Sequence, residues 1–325
     1  MKLLVTRPMT ARVTAAIRAR FDATFRDNTP LTEDEARRAM QDHDAILPTL
    51  GDAFTAAAFQ GELRCRMLAN FGAGYNHIDI AAARDAGVTV TNTPDVVTDA
   101  TADIALTLML MVLRRASEGE RLLRAGQWTG WHPTQLLGHE MSGRTVGIVG
   151  MGRIGKAIAR RCHLGFGMEV VFFNRSIVSA LDIPARQIED LHALLRACDV
   201  AVIAVPGGAG TRGMIGAPEL RALGPSGCLI NIARGDVVDE DALIAALHAR
   251  SIAGAGLDVY AQEPHVPQAL MDAPNATLLP HLGTATDETR TQMGLRALGN
   301  LEAWVSGRQP SDLIVPGEPW RDSGS

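Results

Sequence analysis

The feature that most constrains the fold of this 325-residue chain is a glycine motif that directly follows an apolar segment. Residues 145–149 read Thr-Val-Gly-Ile-Val, and G-x-G-x-x-G follows at Gly150, Gly152 and Gly155, before a segment with helical periodicity. In a strand–turn–helix unit the first glycine permits a tight turn, the second lets a pyrophosphate approach the backbone, and the third lets helix and strand pack closely. The sequence therefore predicts a dinucleotide-binding unit.

The helix predicted after this turn would provide a site for phosphate groups. Its first residues are Arg153 and Ile154, and their backbone N–H groups would face the pyrophosphate, where the helix dipole favours anions. A glycine-rich turn with a purely structural role is the alternative, because the motif alone is a weak signal. The flanking strand and helix patterns favour the cofactor site.

The residues after the next predicted strand, 169–173, indicate which dinucleotide is bound. An NAD site commonly places an acidic residue here to bind the ribose 2′-hydroxyl. This chain reads Asn174-Arg175-Ser176 instead, which offers an amide, a guanidinium and a hydroxyl to a 2′-phosphate and no carboxylate to repel it. We therefore expect NADP (NADPH) to be preferred. The alternative is a solvated arginine with relaxed cofactor choice, in which case NAD is also used.

Length and composition exclude several classes of function. A chain of 325 residues with 46% hydrophobic residues suits two domains. A net charge of −5 without a block of Lys or Arg is not typical of a nucleic-acid-binding protein. The longest apolar run, 104–113, is too short for a bilayer, and the amino terminus lacks a signal-peptide core, so no membrane partner is expected. The scattered cysteines predict buried thiols in a cytoplasmic protein, without a disulfide or a metal site: Cys65, Cys162, Cys198 and Cys228.

Strand and helix patterns alternate on both sides of the glycine motif, which is typical of an α/β fold. Before it, strands are predicted at 3–6, 45–48, 67–70 and 88–92, and helices at 10–21, 54–60 and 77–85. After it, strands are predicted at 169–173, 200–205, 227–231, 253–257 and 276–279, with a last helix at 287–305 and a tail at 312–315. We therefore predict two doubly wound parallel-sheet domains with an interdomain cleft: a flavodoxin-like substrate domain (1–97 plus 288–325) and a Rossmann dinucleotide-binding domain (98–287).

Three residues with catalytic chemistry follow the last three strands predicted above, namely Arg234, Glu263 and His281. The carboxyl ends of parallel strands meet at one edge of a sheet, where such folds bind ligands. An arginine fork can bind the carboxylate of a 2-oxo acid, and a histidine can protonate the carbonyl as hydride arrives. A glutamate beside the histidine would favour the imidazolium and fix the tautomer. Taken singly, each residue has a structural alternative, such as a surface ion pair or a hydrogen-bonded histidine.

These segments resemble the D-isomer-specific 2-hydroxyacid dehydrogenases, and within that family the glyoxylate/hydroxypyruvate reductases. The resemblance covers nearly the whole chain. It implies that Arg234 anchors and polarises the substrate, that His281 is the general acid/base with Glu263 as its partner, and that Asp258 lies near the nicotinamide amide. Its most specific stretches are Gly-Ile-Val-Gly-Met-Gly-Arg-Ile-Gly (147–155), Asn-Ile-Ala-Arg-Gly-Asp-Val-Val-Asp (231–239), Gly-Leu-Asp-Val-Tyr-Ala-Gln-Glu-Pro (256–264) and Leu-Pro-His-Leu-Gly-Thr-Ala-Thr (279–286).

The same resemblance extends to the substrate domain. Residues 70–79, Asn-Phe-Gly-Ala-Gly-Tyr-Asn-His-Ile-Asp, resemble the family's carboxylate-binding loop, so the backbone N–H groups of Ala73 and Gly74 would hold the acid group. Leu50 would line the substrate pocket. The chain departs from the family in Asn76-His77, where Asp-Asn is usual, and in Gly-Gly-Ala-Gly-Thr at 207–211, where Thr-Pro-Glu-Thr is usual. The cofactor contacts implied in addition to the glycine motif and residues 174–176 are Thr98, Val205, Pro206, Thr211, Ile232, Ala233, Arg234, Asp258, His281 and Gly283.

Two features predict a homodimer. One long helix is expected from about Asp99 to Arg124, and its apolar middle would be buried either within the chain or in a dimer interface. Trp131 matches a position from which relatives send a tryptophan into the other subunit's active site, so it would contact the substrate there. The alternative is an aromatic residue packed in the core of its own chain.

The sequence thus predicts an NADPH-preferring reductase that converts small 2-oxo acids (glyoxylate, hydroxypyruvate, and 2-ketoaldonates as larger candidates) to D-2-hydroxy acids. Two alternatives remain open at this point. One is a phosphoglycerate dehydrogenase of the same family, although no extra regulatory domain is evident. Within the family, formate dehydrogenase is less favoured, because the long amino-terminal extension expected of it is missing. A dinucleotide-sensing binding protein, like the corepressors that share this fold and triad, is the other.

Overall fold

Two separate β-sheets organise the chain in the computed structural model, which describes residues 1–179 and 181–318. Each sheet belongs to its own unit. The first unit comprises Met1–Val97 and the chain from Ala285 onward, and the second comprises Thr98–Thr284.

The first unit has a six-stranded sheet in the order β13-β5-β4-β3-β1-β2. Its strands are parallel except β13, which pairs antiparallel with β5. The parallel part has the flavodoxin-like order. Its elements are β1 (Lys2–Val5), α1 (Ala11–Arg18), β2 (Asp22–Phe25), α2 (Glu33–Asp42), β3 (Ala45–Leu47), a 3₁₀ turn (Ala56–Phe59), β4 (Met67–Ala69), α3 (Ile80–Asp85) and β5 (Thr89–Thr91), with α11 (Asp287–Val305) and β13 (Leu313–Val315) from the end of the chain.

The second unit has a seven-stranded parallel sheet in the order β12-β11-β10-β9-β6-β7-β8. The strand order reverses between β6 and β9, as in Rossmann domains, and ligands bind at such switch points. Its elements are α4 (Thr98–Leu113), α5 (Ala116–Arg124), β6 (Thr145–Val149), α6 (Arg153–Phe166), β7 (Glu169–Phe173), β8 (Arg186–Gln187), α7 (Leu191–Arg196), β9 (Val200–Ile203), α8 (Ala217–Leu223), β10 (Cys228–Asn231), a 3₁₀ turn (Gly235–Val237), α9 (Glu240–His248), β11 (Gly254–Leu257), α10 (Gln268–Met271) and β12 (Ala276–Leu278).

Each sheet is buried on both faces, which explains why its strands are nearly continuous apolar runs. In β1, Leu4 belongs to one hydrophobic cluster, whereas its neighbours Leu3 and Val5 belong to another, because successive side chains of a strand point to opposite faces. The two faces of the second sheet are divided in the same way. The fold class predicted from the sequence is thereby confirmed.

The prediction of one helix over 99–124 was wrong, because two helices occupy this range. Arg115, between α4 and α5, has a left-handed backbone with φ of 53°, which ends the first helix. Whereas seven of the 16 residues of α4 are buried, α5 has no buried residue. None of the helices in the described part of the chain is long and apolar enough to cross a membrane.

Several short elements were missed or misjudged from the sequence. The strands β2 and β8 and the helix α2 were not predicted, and the turn predicted as a helix at 54–60 is 3₁₀. A signal for α2 was present, because Thr32 and Glu35 form a capping box at its start, with the side chain of each accepting the other's backbone N–H.

Candidate active site

The glycine motif has the shape that dinucleotide binding requires. Gly150 has φ of 102°, and a Cβ there would lie 2.8 Å from the carbonyl oxygen of Ala204. A Cβ on Gly155 would lie 2.2 Å from the carbonyl oxygen of Gly150, so the helix approaches the turn too closely for any side chain. At Gly152, by contrast, a Cβ would meet nothing within 4 Å. The middle glycine therefore borders open space into which a pyrophosphate fits.

The helix α6 begins directly after this open space. Gly152 is its N-cap and Arg153 its first residue, and the first turn contains no acidic residue. The N–H groups of a helix's first turn have no acceptors within the helix and point outward along its axis. Arg153 and Ile154 are thus placed where backbone N–H groups and the helix dipole both favour phosphate.

The loop after β7 is held in a defined conformation by two amide side chains. Asn174 accepts the N–H of Met151 at 3.3 Å and donates to the carbonyl oxygen of Ser176 at 3.0 Å and to its Oγ at 3.1 Å. Gln187 donates to the carbonyl oxygens of Asn174 and Ser176 at 3.3 and 3.0 Å and accepts the N–H of Val178 at 3.0 Å. Arg175 is exposed and has no partner among the described residues. A guanidinium and a hydroxyl are therefore presented at the edge of the cofactor turn.

His281 and Glu263 form a hydrogen-bonded pair at the ends of neighbouring strands. Nδ1 of His281 lies 2.7 Å from Oε2 of Glu263, and 29% of each side chain is exposed. An ionised carboxylate only accepts hydrogen bonds, so Nδ1 carries a hydrogen and Nε2 is left for proton exchange. Burial raises the pKa of Glu263, but the hydrogen bond and charge of His281 outweigh it, and the pKa stays below its ordinary value.

The backbone around this pair is fixed by further hydrogen bonds. The buried carboxylate of Asp258 accepts the N–H groups of Leu282 and Gly283 at 2.6 and 2.7 Å. His281, immediately before them, has a left-handed backbone with φ of 53°. Burial raises the pKa of Asp258 although both N–H groups favour its charged form. Asp258 thus holds the strained turn that orients the histidine.

Tyr260 supports both members of the pair. Its backbone N–H donates to Oε1 of Glu263 at 3.1 Å, and its hydroxyl donates to the carbonyl oxygen of Leu279 at 2.9 Å, two residues before His281. The remaining carboxylate oxygen of Glu263 is therefore engaged as well, which fixes the orientation of the group that faces the imidazole.

Arg234 lies on the turn after β10, the strand next to β11. Its Nη1 donates to the carbonyl oxygen of Ala233 at 2.6 Å, whereas its Nε is buried and lacks a partner in the described part of the chain. Burial lowers the pKa of the guanidinium. Asn231 holds the turn by donating to the carbonyl oxygen of Arg234 and accepting the N–H of Ala233, both at 3.0 Å. A partly buried guanidinium whose buried Nε–H is unused is suited to an anionic ligand.

Most of the other predicted cofactor residues also follow carboxyl ends of strands in this sheet, and Thr98 begins a helix. Val205 and Pro206 follow β9, Ile232 and Ala233 follow β10, and the helix of Thr98 is α4. Thr211 donates its hydroxyl hydrogen to the carbonyl oxygen of Pro206 at 2.7 Å, so this hydrogen is used within its own loop.

The predicted substrate residues of the first unit lie on loops after its strands. Leu50 follows β3 and is 43% exposed, in a loop that the buried carboxylate of Asp52 ties to the N–H groups of Leu31 and Thr49. Ala73 and Gly74 follow β4 and are partly buried. In the second unit, Trp131 is 80% exposed, so the alternative of a core aromatic is wrong.

The sequence analysis did not identify the residues that support the site through hydrogen bonds and that are not expected to contact a ligand. These residues are Asp52, Asn70, Gln187, Asn231 and Tyr260. Most of them bind backbone groups through side-chain amides or a carboxylate. Asn231 precedes Arg234 in a motif that was recognised, so its position was a usable signal. Gln187 offered none, because its partners lie 9 to 13 positions away in the chain.

Comparison with known proteins agrees with this geometry. Residues 106–283 match the family described as D-isomer specific 2-hydroxyacid dehydrogenase, NAD binding domain. A glyoxylate reductase of Thermococcus gammatolerans is 41% identical over 280 residues, which cover 85% of this chain and 84% of the relative. A glyoxylate reductase of Thermococcus onnurineus is 38% identical over 319 residues, which cover 96% of this chain and 95% of the relative.

A solved structure of similar fold carries ligands. The NADPH-dependent glyoxylate/hydroxypyruvate reductase of Sinorhizobium meliloti, in complex with NADP and malonate, has a TM-score of 0.86 and 36% identity, covering 98% of this chain and 99% of that one. The glycine turn, the strand-end triad and these similarities lead to the same conclusion: the chain belongs to the D-isomer-specific 2-hydroxyacid dehydrogenases.

Proposed function

We propose that this enzyme is an NADPH-preferring reductase that converts small 2-oxo acids, such as glyoxylate and hydroxypyruvate, to D-2-hydroxy acids, with 2-ketoaldonates as larger candidates. The observation that carries the proposal is the 2.7 Å contact between His281 and Glu263 at the strand ends, on the same sheet as a partly buried arginine, Arg234, whose buried Nε–H is unused. These are the groups that protonating a carbonyl and binding a carboxylate require.

Each residue has one role in this proposal. Arg234 binds the substrate carboxylate and polarises the carbonyl. His281 begins the reduction as the imidazolium and gives the proton on Nε2 to the carbonyl oxygen, while Glu263 stabilises that charged form and holds the ring. Asp258 fixes the turn and would lie near the nicotinamide amide of the bound cofactor. The bound nicotinamide cofactor supplies the hydride.

The cofactor preference rests on the loop after β7. No acidic residue stands at 174–176, and Arg175 is exposed with a guanidinium available for a 2′-phosphate. The relative from Sinorhizobium meliloti, whose structure contains NADP, supports this choice. The proposed contacts of the cofactor are those of the sequence analysis, with Thr211 contributing through a group other than its hydroxyl hydrogen.

We further propose that the first unit is the substrate domain and that the enzyme acts as a homodimer, in which Trp131 contacts the substrate bound to the partner chain. Three large apolar side chains near each other in the chain are exposed, Trp128 at 51%, Trp131 at 80% and Leu137 at 65%, and a group of this kind is typical of an interaction surface. The four cysteines are unpaired and buried, which fits a cytoplasmic location, where thiols stay reduced.

A substrate and cofactor panel tests the proposal. Glyoxylate, hydroxypyruvate, pyruvate and 2-ketogluconate would each be added with NADPH or NADH, and loss of reduced-nicotinamide absorbance followed. We expect the highest kcat/KM for glyoxylate or hydroxypyruvate with NADPH, and D-glycerate as the product from hydroxypyruvate. No turnover of any 2-oxo acid would refute the activity, and equal use of both cofactors would refute the preference alone.

A further inference from the structure

We propose that Asn70 and Asn92 are positioning residues that shape the backbone of residues 72–75 into a binding site for the substrate carboxylate, with the N–H of Tyr75 as a third donor. The inference rests on the proposed function, which requires a carboxylate, and it adds to the donors Ala73 and Gly74 predicted from the sequence.

Three consecutive carbonyl groups of this loop are bound by the two asparagines. The side-chain amide of Asn70 donates to the carbonyl oxygens of Gly72 and Gly74 at 3.1 and 3.0 Å. The amide of Asn92 donates to the carbonyl oxygen of Ala73 at 2.8 Å. The carbonyl oxygen of Gly72 also accepts the backbone N–H of Thr93 at 2.9 Å. Each of the three carbonyls is thus fixed towards one of the two asparagine amides.

Peptide geometry then dictates where the N–H groups point. In a planar trans peptide, the C=O of one residue and the N–H of the next point in opposite directions. Each bound carbonyl of residues 72–74 therefore turns the N–H group of the next residue (Ala73, Gly74 and Tyr75, respectively) away from the amide that binds it. Within the described ranges, no acceptor takes any of these three N–H groups, and all three residues are partly exposed. Successive outward N–H groups form an anion-binding concavity.

Asparagine is suited to this task at both positions. Asn70 is completely buried and Asn92 is 8% exposed, so their amides have no competing water. The Nδ2 of Asn70 faces two carbonyl oxygens, which only an NH₂ group can satisfy. Its Oδ1 is buried without a partner among the described residues, which costs free energy of folding. The two hydrogen bonds that its Nδ2 donates offset this cost.

A buried network holds Asn92 in turn. Its backbone N–H donates to the carbonyl oxygen of Asp312 at 3.2 Å, and its carbonyl oxygen accepts from Asn300 at 3.2 Å. Asn300 also donates to the carboxylate of Asp312 at 2.9 Å, and Arg296 binds that carboxylate at 2.7 and 2.8 Å. The amide that fixes Ala73 is therefore attached to a rigid framework built by α11 and the chain before β13.

The test is Asn92→Asp, in which a carboxylate replaces the donor to Ala73. The new oxygen repels the Ala73 carbonyl and attracts the N–H of Gly74, which withdraws that donor from the substrate. A hydrogen bond to a charged group contributes a factor of roughly ten or more. We expect the KM for glyoxylate and the inhibition constant of oxalate to rise together by about tenfold, while kcat changes less than about threefold and NADPH affinity is unchanged.

Asn275→Asp is the matched control. Asn275 belongs to the second unit, and its amide also donates to two carbonyl oxygens, those of Leu247 and Ala253. This variant should lose stability without a change in either carboxylate constant. Asn92→Ala removes the donor without adding charge, and it provides the test if Asn92→Asp does not fold.

Unchanged KM for glyoxylate and unchanged oxalate inhibition in a folded Asn92 variant would overturn the inference. If the wild-type enzyme reduces no 2-oxo acid, the proposed function fails instead. Direct titration of oxalate into wild type and variant then still tests the loop: equal affinity would refute it, and a loss of about tenfold in the variant would support it.

Discussion

Two regions of the second unit have proposed roles, and they differ greatly in how many hydrogen bonds fix their conformation. The turn that contains His281 is fixed by Asp258, which accepts the next two backbone N–H groups, and by Glu263, which accepts from the ring. The segment 127–139, here called the arm, is anchored at its end by the N–H of His139 on the carbonyl oxygen of Leu113 at 2.8 Å. Trp131, in its middle, is 80% exposed.

The difference indicates which functions a single chain can perform. His281, the proposed proton donor, and Glu263 are positioned by hydrogen bonds within their own chain, so their geometry needs no partner. In the arm, Trp128 donates to Gln135 within the same segment at 3.3 Å, whereas the side chain of Trp131 has no hydrogen-bond partner among the described residues. Exposed aromatic side chains are typical of surfaces that bind another protein. We therefore expect the chemical step to depend on the turn and substrate selection to depend on the arm and a second copy.

The largest effect is expected from His281→Ala, which removes the proton donor but leaves the cofactor turn intact. General acid catalysis contributes about 10²–10⁴ in rate, so kcat for glyoxylate should fall by that factor. NADPH binding, measured by titration, should be nearly unchanged. His248→Ala, a substitution at the end of α9 in the same unit, is the control, and near-normal turnover of His281→Ala would remove this residue from the mechanism.

Arg234→Lys should have the next largest effect. Lysine keeps the positive charge but lacks the planar fork that binds a carboxylate through two N–H groups. The KM for glyoxylate should rise more than about tenfold, the equivalent of one hydrogen bond to a charged group. Arg212→Lys, at an exposed ion pair with Asp236, provides the comparison. Equal KM values in these two variants would contradict a role of Arg234 in substrate binding.

Arg175→Ala tests the loop after β7. Loss of one charge-assisted contact to the 2′-phosphate should raise the KM for NADPH by roughly tenfold, with little change for NADH. Arg186→Ala is a suitable control, because Arg186 is a nearby exposed arginine on β8. A parallel change for both cofactors would show that Arg175 does not recognise the phosphate.

Trp131→Ala should have the smallest effect, because the arm is expected to contact the substrate and not the reacting atoms. The KM for hydroxypyruvate should rise by roughly threefold to tenfold, as for a truncated interface aromatic, and bulkier 2-oxo acids should be accepted. NADPH binding should stay normal. Trp128→Ala, 51% exposed in the same arm, is the control. A fully active monomer in sedimentation would exclude a role across subunits.

Local patterns in the sequence were sufficient to predict the strands and helices whose apolar residues recur with strong periodicity. The strand predicted at 169–173 and the helix predicted at 287–305 are confirmed at both ends. The break between α4 and α5 could not be predicted, because it depends on a left-handed backbone at Arg115, a residue type that rarely adopts it.

Only those residues of the candidate site that belong to recognisable sequence motifs could be predicted. Arg234, Glu263 and His281 were found because each follows a strand in a recognisable stretch. The hydrogen bond from Asn92 to Ala73 joins residues that are 19 positions apart and follow different strands. The hydrogen bond from Asn300 to Asn92 joins residues that are 208 positions apart. Contacts of this kind arise from tertiary packing and leave no periodic signal, which is why the supporting amides emerged only from the structure.

The central claim is that Glu263 and His281 act together to deliver a proton, and the pH dependence of kcat/KM tests it most directly. In reduction, the general acid must begin protonated, so kcat/KM should fall on the alkaline side of its pH profile. The lowered pKa of Glu263 keeps this carboxylate charged throughout that range, where it favours the imidazolium.

Glu263→Gln removes the charge but preserves the shape, so the alkaline loss of kcat/KM for glyoxylate with NADPH should move to lower pH. Glu240→Gln is the control, because Glu240 accepts the N–H of Ala261 and makes no described contact with His281, so its variant should leave the profile nearly in place. A profile of Glu263→Gln that coincides with the wild type would contradict the account and reduce Glu263 to a structural residue.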